Sequence, residues 1–345
     1  MTKGGIPLSP RALQDYVQRH GGTVRNGAHG VVRRLMTVTH AGAGDLAPLL
    51  GARYIADAIA ALDRGAFLLV DESLATRADV AALSGWFHPY ATWALAELLD
   101  LGDAPADDPV VGEDAKIGRG VVLLPRVKIG ARVTIGPGAV IGDAGFGFAT
   151  GPDGTMRPIP QLGGVVIEDD VHIGALCTIA SGTLGPTVVK KGAKLDAQVH
   201  VGHNCEIGEN TVIAAQTGLA GSVIVGRGVL MGGQVGVADH VVIGDGARIA
   251  AKSGVIGDVA AGSTVAGYPA VERHRWLRGL AELYRLAANR SSSSSVAPSS
   301  ESMSDMSTPP PRVSSVPPSA VPAGLRPEAI IRRSDPPPGG EGGAS

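Results

Sequence analysis

The side chains best suited to move a proton in this chain are histidines that fall outside a repeating apolar pattern. His203 lies in the run Val201-Gly202-His203-Asn204-Cys205, and His240 in Val237-Ala238-Asp239-His240. His200 and His172 hold comparable outward places. Asp196 precedes His203 by seven residues and sits one place differently in the preceding repeat. An imidazole with an ordinary pKa near 6.5 can take and return a proton at neutral pH. A single outward histidine is commonly a solvated surface residue, so its meaning depends on the elements that hold it.

Those elements read in sixes. From Val201 the first places are Val201, Ile207, Ile213, Leu219, Val225, Met231, Val237, Ile243, Ile249 and Val255, all large aliphatics. Glycine recurs at the second place, as at Gly202, Gly208, Gly226, Gly232 and Gly244. The fifth place is small or β-branched, as at Cys205, Thr211, Thr217 and Val223. A period of six fits neither a 3.6-residue helix nor simple strand alternation. It predicts a solenoid of short strands, three hexads to a triangular coil, with coils stacked about 4.8 Å apart. Such a core carries no reactive group, so chemistry falls to outward places and loops. By this count His203 holds a third place, His240 a fourth, and His200 and His172 sixth places.

An earlier block runs through Val111, Ile117, Leu123, Ile129, Ile135 and Ile141. The repeat then breaks over 143–164, an excursion with Phe146, Phe148 and the turn residues Pro152-Asp153-Gly154. It resumes at Ile167, Ile173 and Ile179, slips by four residues, and continues from Val189 and Leu195. A loop thrown out of a regular solenoid is a common place for a binding surface.

Residues 1–103 predict a small α/β domain. Ser9-Pro10 reads as the start of a helix with Ser9 as N-cap. Strands are expected over 33–39 and 66–70, and helices over 52–62 and 90–99. The solenoid is expected over 104–268 and an amphipathic helix over 269–290, with Trp276, Leu277, Leu280, Leu283 and Leu286 and a basic face of Arg273, Arg275, Arg278 and Arg285. The Ser/Pro-rich tail 291–345 cannot bury enough apolar surface to order itself.

With 345 residues and 50 glycines, the chain suits strands and corners better than helices. A net charge of −2 with interspersed signs argues against nucleic acid as the main partner. Cys177 and Cys205, both at fifth places, read as small buried hydrophobes and provide no disulfide framework or metal cluster. The histidines lack metal-ligand spacing. No signal peptide or spanning segment is read, so a cytoplasmic location with at most peripheral membrane contact is the expectation.

The runs GFGFA, IPQLG, VHVGHNCEIGEN, QTGLAGS, GGQVGVADHVVIGD and GYPA make the chain similar to the UDP-3-O-acylglucosamine N-acyltransferases of lipid A biosynthesis, over about residues 9–285. The N-terminal order GDLAPLLGARY, GAFLLV, WFHPYATWALAELL matches more weakly. The resemblance implies a left-handed parallel β-helix (hexapeptide repeat) with a small N-terminal α/β domain and a C-terminal helix. It implies transfer of a 3-hydroxyacyl group from acyl carrier protein to the 2-amine of a UDP-3-O-acyl-glucosamine. The acyl carrier protein thioester is a co-substrate and no cofactor is involved. By the same resemblance His203 is the general base, Asp196 the carboxylate that supports it, the Gly221 N–H the oxyanion donor and His240 a second active-site histidine. Tyr54 falls where the family contacts uracil, and Phe146 and Phe148 lie in a substrate-binding loop. The basic face of the last helix could meet acyl carrier protein, and a homotrimer is implied.

Several places depart from that pattern. Pro48 stands where the family has a stacking Phe, Gly51 replaces an Asn, Ala180-Ser181-Gly182 replaces Asp-Arg-Gly, Ala197 replaces an Asn and Met156 an aromatic. These changes touch nucleotide recognition more than acyl transfer. They keep open a related hexapeptide acyl- or acetyltransferase acting on another nucleotide-sugar. A catalytically silent β-helix scaffold is a third reading, disfavoured by the retained Asp196 and His203.

Overall fold

The computed structural model describes residues 5–267 and the helix 273–293. Its N-terminal layer is a six-stranded sheet: β1 (Ile6–Ala12), β2 (Thr23–Arg25), β3 (Val31–Leu35), β4 (Asp45–Leu49), β5 (Phe67–Asp71) and β6 (Gly85–His88), in the order β1-β3-β4-β5-β6-β2. The inner pairs β3–β4, β4–β5 and β5–β6 are parallel; the outer pairs β1–β3 and β2–β6 are antiparallel. Helices α1 (Leu13–His20), α2 (Ile55–Asp63) and α3 (Ala78–Ala81) lie between strands of the sheet in chain order, and α4 (Ala91–Asp100) follows β6. A 3-10 turn at Ala52–Tyr54 leads into α2.

Ser9-Pro10 corrects the reading of the first helix. Both residues belong to the edge strand β1, and α1 begins only at Leu13, capped by Ala12 with no side-chain bond. Register shifts between Pro7 and Arg11, and an edge strand tolerates a proline that has no N–H to donate. The Ser9 carbonyl accepts instead from the Tyr16 hydroxyl, 3.1 Å away.

The solenoid is a left-handed parallel β-helix with three flat faces of seven, eight and seven strands among the described residues. Partners along each face lie 18 residues apart through the long run: His200 pairs with Gly218, and Gly218 with Gly236. The inward places of that run, Val201 to Val255, are all buried. They form one continuous core with Cys177 and Cys205, which make no disulfide. Burial pushes the Cys205 thiol up to about 12, so it stays protonated and inert. Val111 and Ile117, also at inward places, are exposed, because the first coil has a stacked neighbour on one side only.

The excursion folds into a hairpin of strands Phe148–Thr150 and Met156–Pro158 that lies against α4. Arg157 spans that contact. Its guanidinium sits 5.1 Å from the Trp93 ring centre and pairs with Asp100. The four-residue slip contributes Leu184 to the core of the N-terminal layer, where Ile159 and Leu162 of the excursion also pack. The N-terminal layer and the solenoid thus form one compact unit.

Helix α5 (Arg273–Ser293) belongs to the second unit and exposes Leu277, Leu283, Tyr284 and Leu286. The described helix runs past the expected end at 290, and the expected start at 269 lies outside the described residues. Most of the tail expected from 291 lies outside the described residues, as does the Tyr268-Pro269-Ala270 part of the GYPA run.

Candidate active site

One corner of the coil carries His203, Gly221 and His240 in adjacent layers. Each follows a strand of the face that holds His200–Val201, Gly218–Leu219 and Gly236–Val237. Backbone bonds tie the layers together: Ser222 N–H donates to the His203 carbonyl at 2.8 Å, and His240 N–H to the Gly221 carbonyl at 3.0 Å. Asn204, Ser222 and His240 hold left-handed backbone angles, with φ of 59°, 61° and 59°. Asn and His are among the residues that adopt that conformation most readily.

The His203 ring is held between two glycines. A Cβ on Gly221 would lie 2.5 Å from His203 Nε2, and one on Gly145, at the foot of the excursion, would overlap His203 Cβ. Glycine is required at both places by close approach. The Gly221 N–H makes no hydrogen bond among the described residues, so it remains able to donate to a ligand. His203 is half-buried, and burial first, then the neighbouring charge of His240, holds its pKa below the ordinary imidazole value. His240 is lowered as well, by burial and then by the Arg53 guanidinium, against the opposing pull of Asp239. Both rings are therefore neutral at neutral pH.

Tyr54, expected at a uracil, reaches the solenoid within the same chain. Its hydroxyl hydrogen-bonds with His240 Nδ1 at 3.2 Å, the rings meet edge to face, and Arg53 donates to the His240 carbonyl. Pro48 lies inside β4, and Gly51 supports the 3-10 turn by accepting from Tyr54 N–H at 3.1 Å. Phe146 is 90% exposed and stands edge to face with Phe148, ring centres 5.0 Å apart. The structure thus brings Gly221, His240, Tyr54 and the foot of the Phe146–Phe148 loop to His203.

It does not bring Asp196 there within one chain. Asp196 follows the strand Lys194–Leu195 and stands at the opposite end of the His200–Val201 strand, at a different corner of the triangle. It is exposed, and its Oδ1 accepts from Ala197 N–H at 2.7 Å. The side chain that meets His203 Nδ1 is Asn204, whose Nδ2 lies 2.8 Å away. Asn204 is joined in turn to Thr183 in the slip and, through it, to Gln161 in the excursion. The sequence reading assigned none of these three residues a role. Asn204 was in plain view beside His203, but its partners come from an irregular segment whose register a six-residue period cannot supply. His200 bonds to Thr178 Oγ1 at 2.7 Å on the flat face, and His172 stays exposed on another face. No group of three potential metal ligands gathers among the described residues, and no described helix is long and apolar enough to cross a membrane.

Comparison with known proteins agrees with this architecture. The bacterial transferase hexapeptide family (six repeats) matches residues 108–143 and 186–221. A UDP-3-O-acylglucosamine N-acyltransferase from Caulobacter sp. is 37% identical over 327 residues, 82% of this chain and 96% of its own. Another of that name, from Anaeromyxobacter dehalogenans, is 44% identical over 186 residues; that match spans 52% of each chain, about half the relative's length. Among solved structures, a UDP-N-acetylglucosamine acyltransferase from Campylobacter jejuni aligns over 44% of this chain and 64% of its own, at 27% identity and a TM-score of 0.37. The Caulobacter match, at 37% identity over 82% of this chain and 96% of its own, shows the family: the chain belongs to the UDP-3-O-acylglucosamine N-acyltransferases.

Proposed function

We propose that this protein is an N-acyltransferase that moves a 3-hydroxyacyl group from acyl carrier protein to the 2-amine of a UDP-3-O-acyl-glucosamine in lipid A biosynthesis. The observation that carries the reading is a half-buried, neutral imidazole at His203, pressed against a glycine whose N–H has no hydrogen-bond partner among the described residues. The amine nitrogen attacks the thioester carbonyl. His203 takes the proton the nitrogen must lose. The Gly221 N–H steadies the oxyanion, an interaction worth about 3–4 kcal/mol. Collapse breaks the C–S bond, and the proton passes from His203 to the departing thiolate. Neutrality at rest suits a base, because an imidazolium could accept nothing.

His240, tied to Tyr54 and Arg53, lies where the N-terminal layer meets the solenoid, and that junction suits a nucleotide-sugar. Asp196 supports His203 in this reading only from a second copy, as in a homotrimer. Outward aliphatics fit such an assembly: Val212 and Leu230 on one face and Ile224 and Val242 on another are all at least 40% exposed.

The test is an acyl-transfer assay with several 3-hydroxyacyl carrier proteins and UDP-3-O-acyl-glucosamine. Transfer by the parent, lost in a folded His203→Ala variant, is the expected result. A folded parent that transfers nothing to this acceptor, yet acetylates another nucleotide-amino sugar, would favour a related hexapeptide transferase; Pro48 and Gly51 are the changes that motivate that second reading.

A further inference from the structure

Resting on the reading of His203 as the base, the hydrogen bonds around it assign something further: the place of its proton. Asn204 Oδ1 accepts from the Thr183 backbone N–H at 2.7 Å. A backbone N–H can only donate, so the oxygen of the amide is fixed on that side. Asn204 Nδ2 must then be the atom facing both Thr183 Oγ1, at 3.0 Å, and His203 Nδ1, at 2.8 Å. The far end agrees independently. Buried Gln161 gives its Nε2 to the Ile159 carbonyl at 3.0 Å, which can only accept. Gln161 Oε1 therefore faces Thr183 and takes its hydroxyl proton at 2.7 Å. The Thr183 hydroxyl donates to Gln161 and accepts from Asn204, so every polarity in the chain of contacts is fixed between two backbone groups.

An amide N–H facing Nδ1 requires a lone pair on Nδ1, and the proton of the neutral ring then sits on Nε2. We propose that Asn204 is a positioning residue that holds resting His203 as the Nε2–H tautomer, so that the nitrogen beside Gly221 donates rather than accepts until the Asn204–Nδ1 hydrogen bond gives way. Taking a proton at Nε2 requires the existing one to move to Nδ1, against a donor that has no acceptor to offer there. Asn204 thus keeps the base unarmed, and an acceptor replacing its amide at Nδ1 would arm it.

Histidine-labelled ¹⁵N spectra of the whole chain, recorded above the ring's pKa and assigned by the signal lost in His203→Ala, read the tautomer directly. The parent is expected as Nε2–H. Asn204→Asp, which tolerates the same left-handed backbone, replaces the donor with an acceptor. It should turn the ring to Nδ1–H and raise its pKa by about one unit. Thr183→Val, which keeps the backbone anchor, should leave the tautomer as it is. A parent ring already protonated at Nδ1, or an Asn204→Asp ring still protonated at Nε2, overturns the proposal. The spectra need no turnover, so absent acyl transfer would sink the proposed function while the tautomer that Asn204 imposes on His203 is still read directly.

Discussion

His203 and His240 titrate below an ordinary histidine, and that direction makes two measurable statements. Acid limbs of kcat/KM report free-enzyme groups, so activity should persist to a pH below 6.5. His240→Ala removes the neighbouring charge that depresses His203 and should move the acid limb upward. Stability runs with the same sign. The unfolded chain binds these protons first, so the folded state loses stability as pH falls from about 6.5 toward the depressed values; urea midpoints taken across that window should decline on acidification. Gly221→Ala keeps the N–H but drives a methyl into His203 Nε2. A displacement of that size is expected to lower kcat about 100-fold, with the folded-state CD spectrum unchanged. The histidines were legible in the sequence because they stand at outward places of an unbroken apolar count, within runs that resemble the family's. Asn204's part was not, because a side-chain amide takes its meaning from what stands on either side of it, and Thr183 enters from the slip.

The solenoid elements were legible for an elementary reason: each inward place repeats the same environment, so each repeats the same kind of side chain. Ile213 is 1% exposed and packs between Leu195 and Met231 of the adjoining layers. Ile213→Ala should cost about 2–5 kcal/mol, read as a lowered unfolding midpoint. The irregular elements resisted the same reading. Ser9-Pro10 has the composition of a helix start, but pairing with β3 overrides that local preference. The four-residue slip looked like a defect in the count. In the fold it is an adaptor: Leu184 enters the N-terminal core while Thr183 meets Asn204, so one insertion serves both packing and the site. Leu184→Ala should therefore cost stability and also loosen His203, seen as lower kcat at temperatures where the variant is still folded.

At the scale of the whole molecule, Asp196 and His203 mark different corners of one triangle, a separation that a seven-residue spacing in sequence conceals. If they work as a pair between copies, inactive Asp196→Ala and His203→Ala chains should restore activity when mixed, unfolded and reassembled together. Mixtures as inactive as their components would place the pair's action elsewhere. The in-register stack has one more consequence. His203 and His240 are 37 residues apart, two full turns of 18 and one place. Inserting a whole 18-residue turn between them would keep every inward aliphatic in phase while lengthening their separation by about 4.8 Å. The distance between the two rings is thus a stepped quantity. The fold allows it to change only in units of one strand spacing, so substrates of different reach could be served by adding or deleting turns, with no redesign of the core.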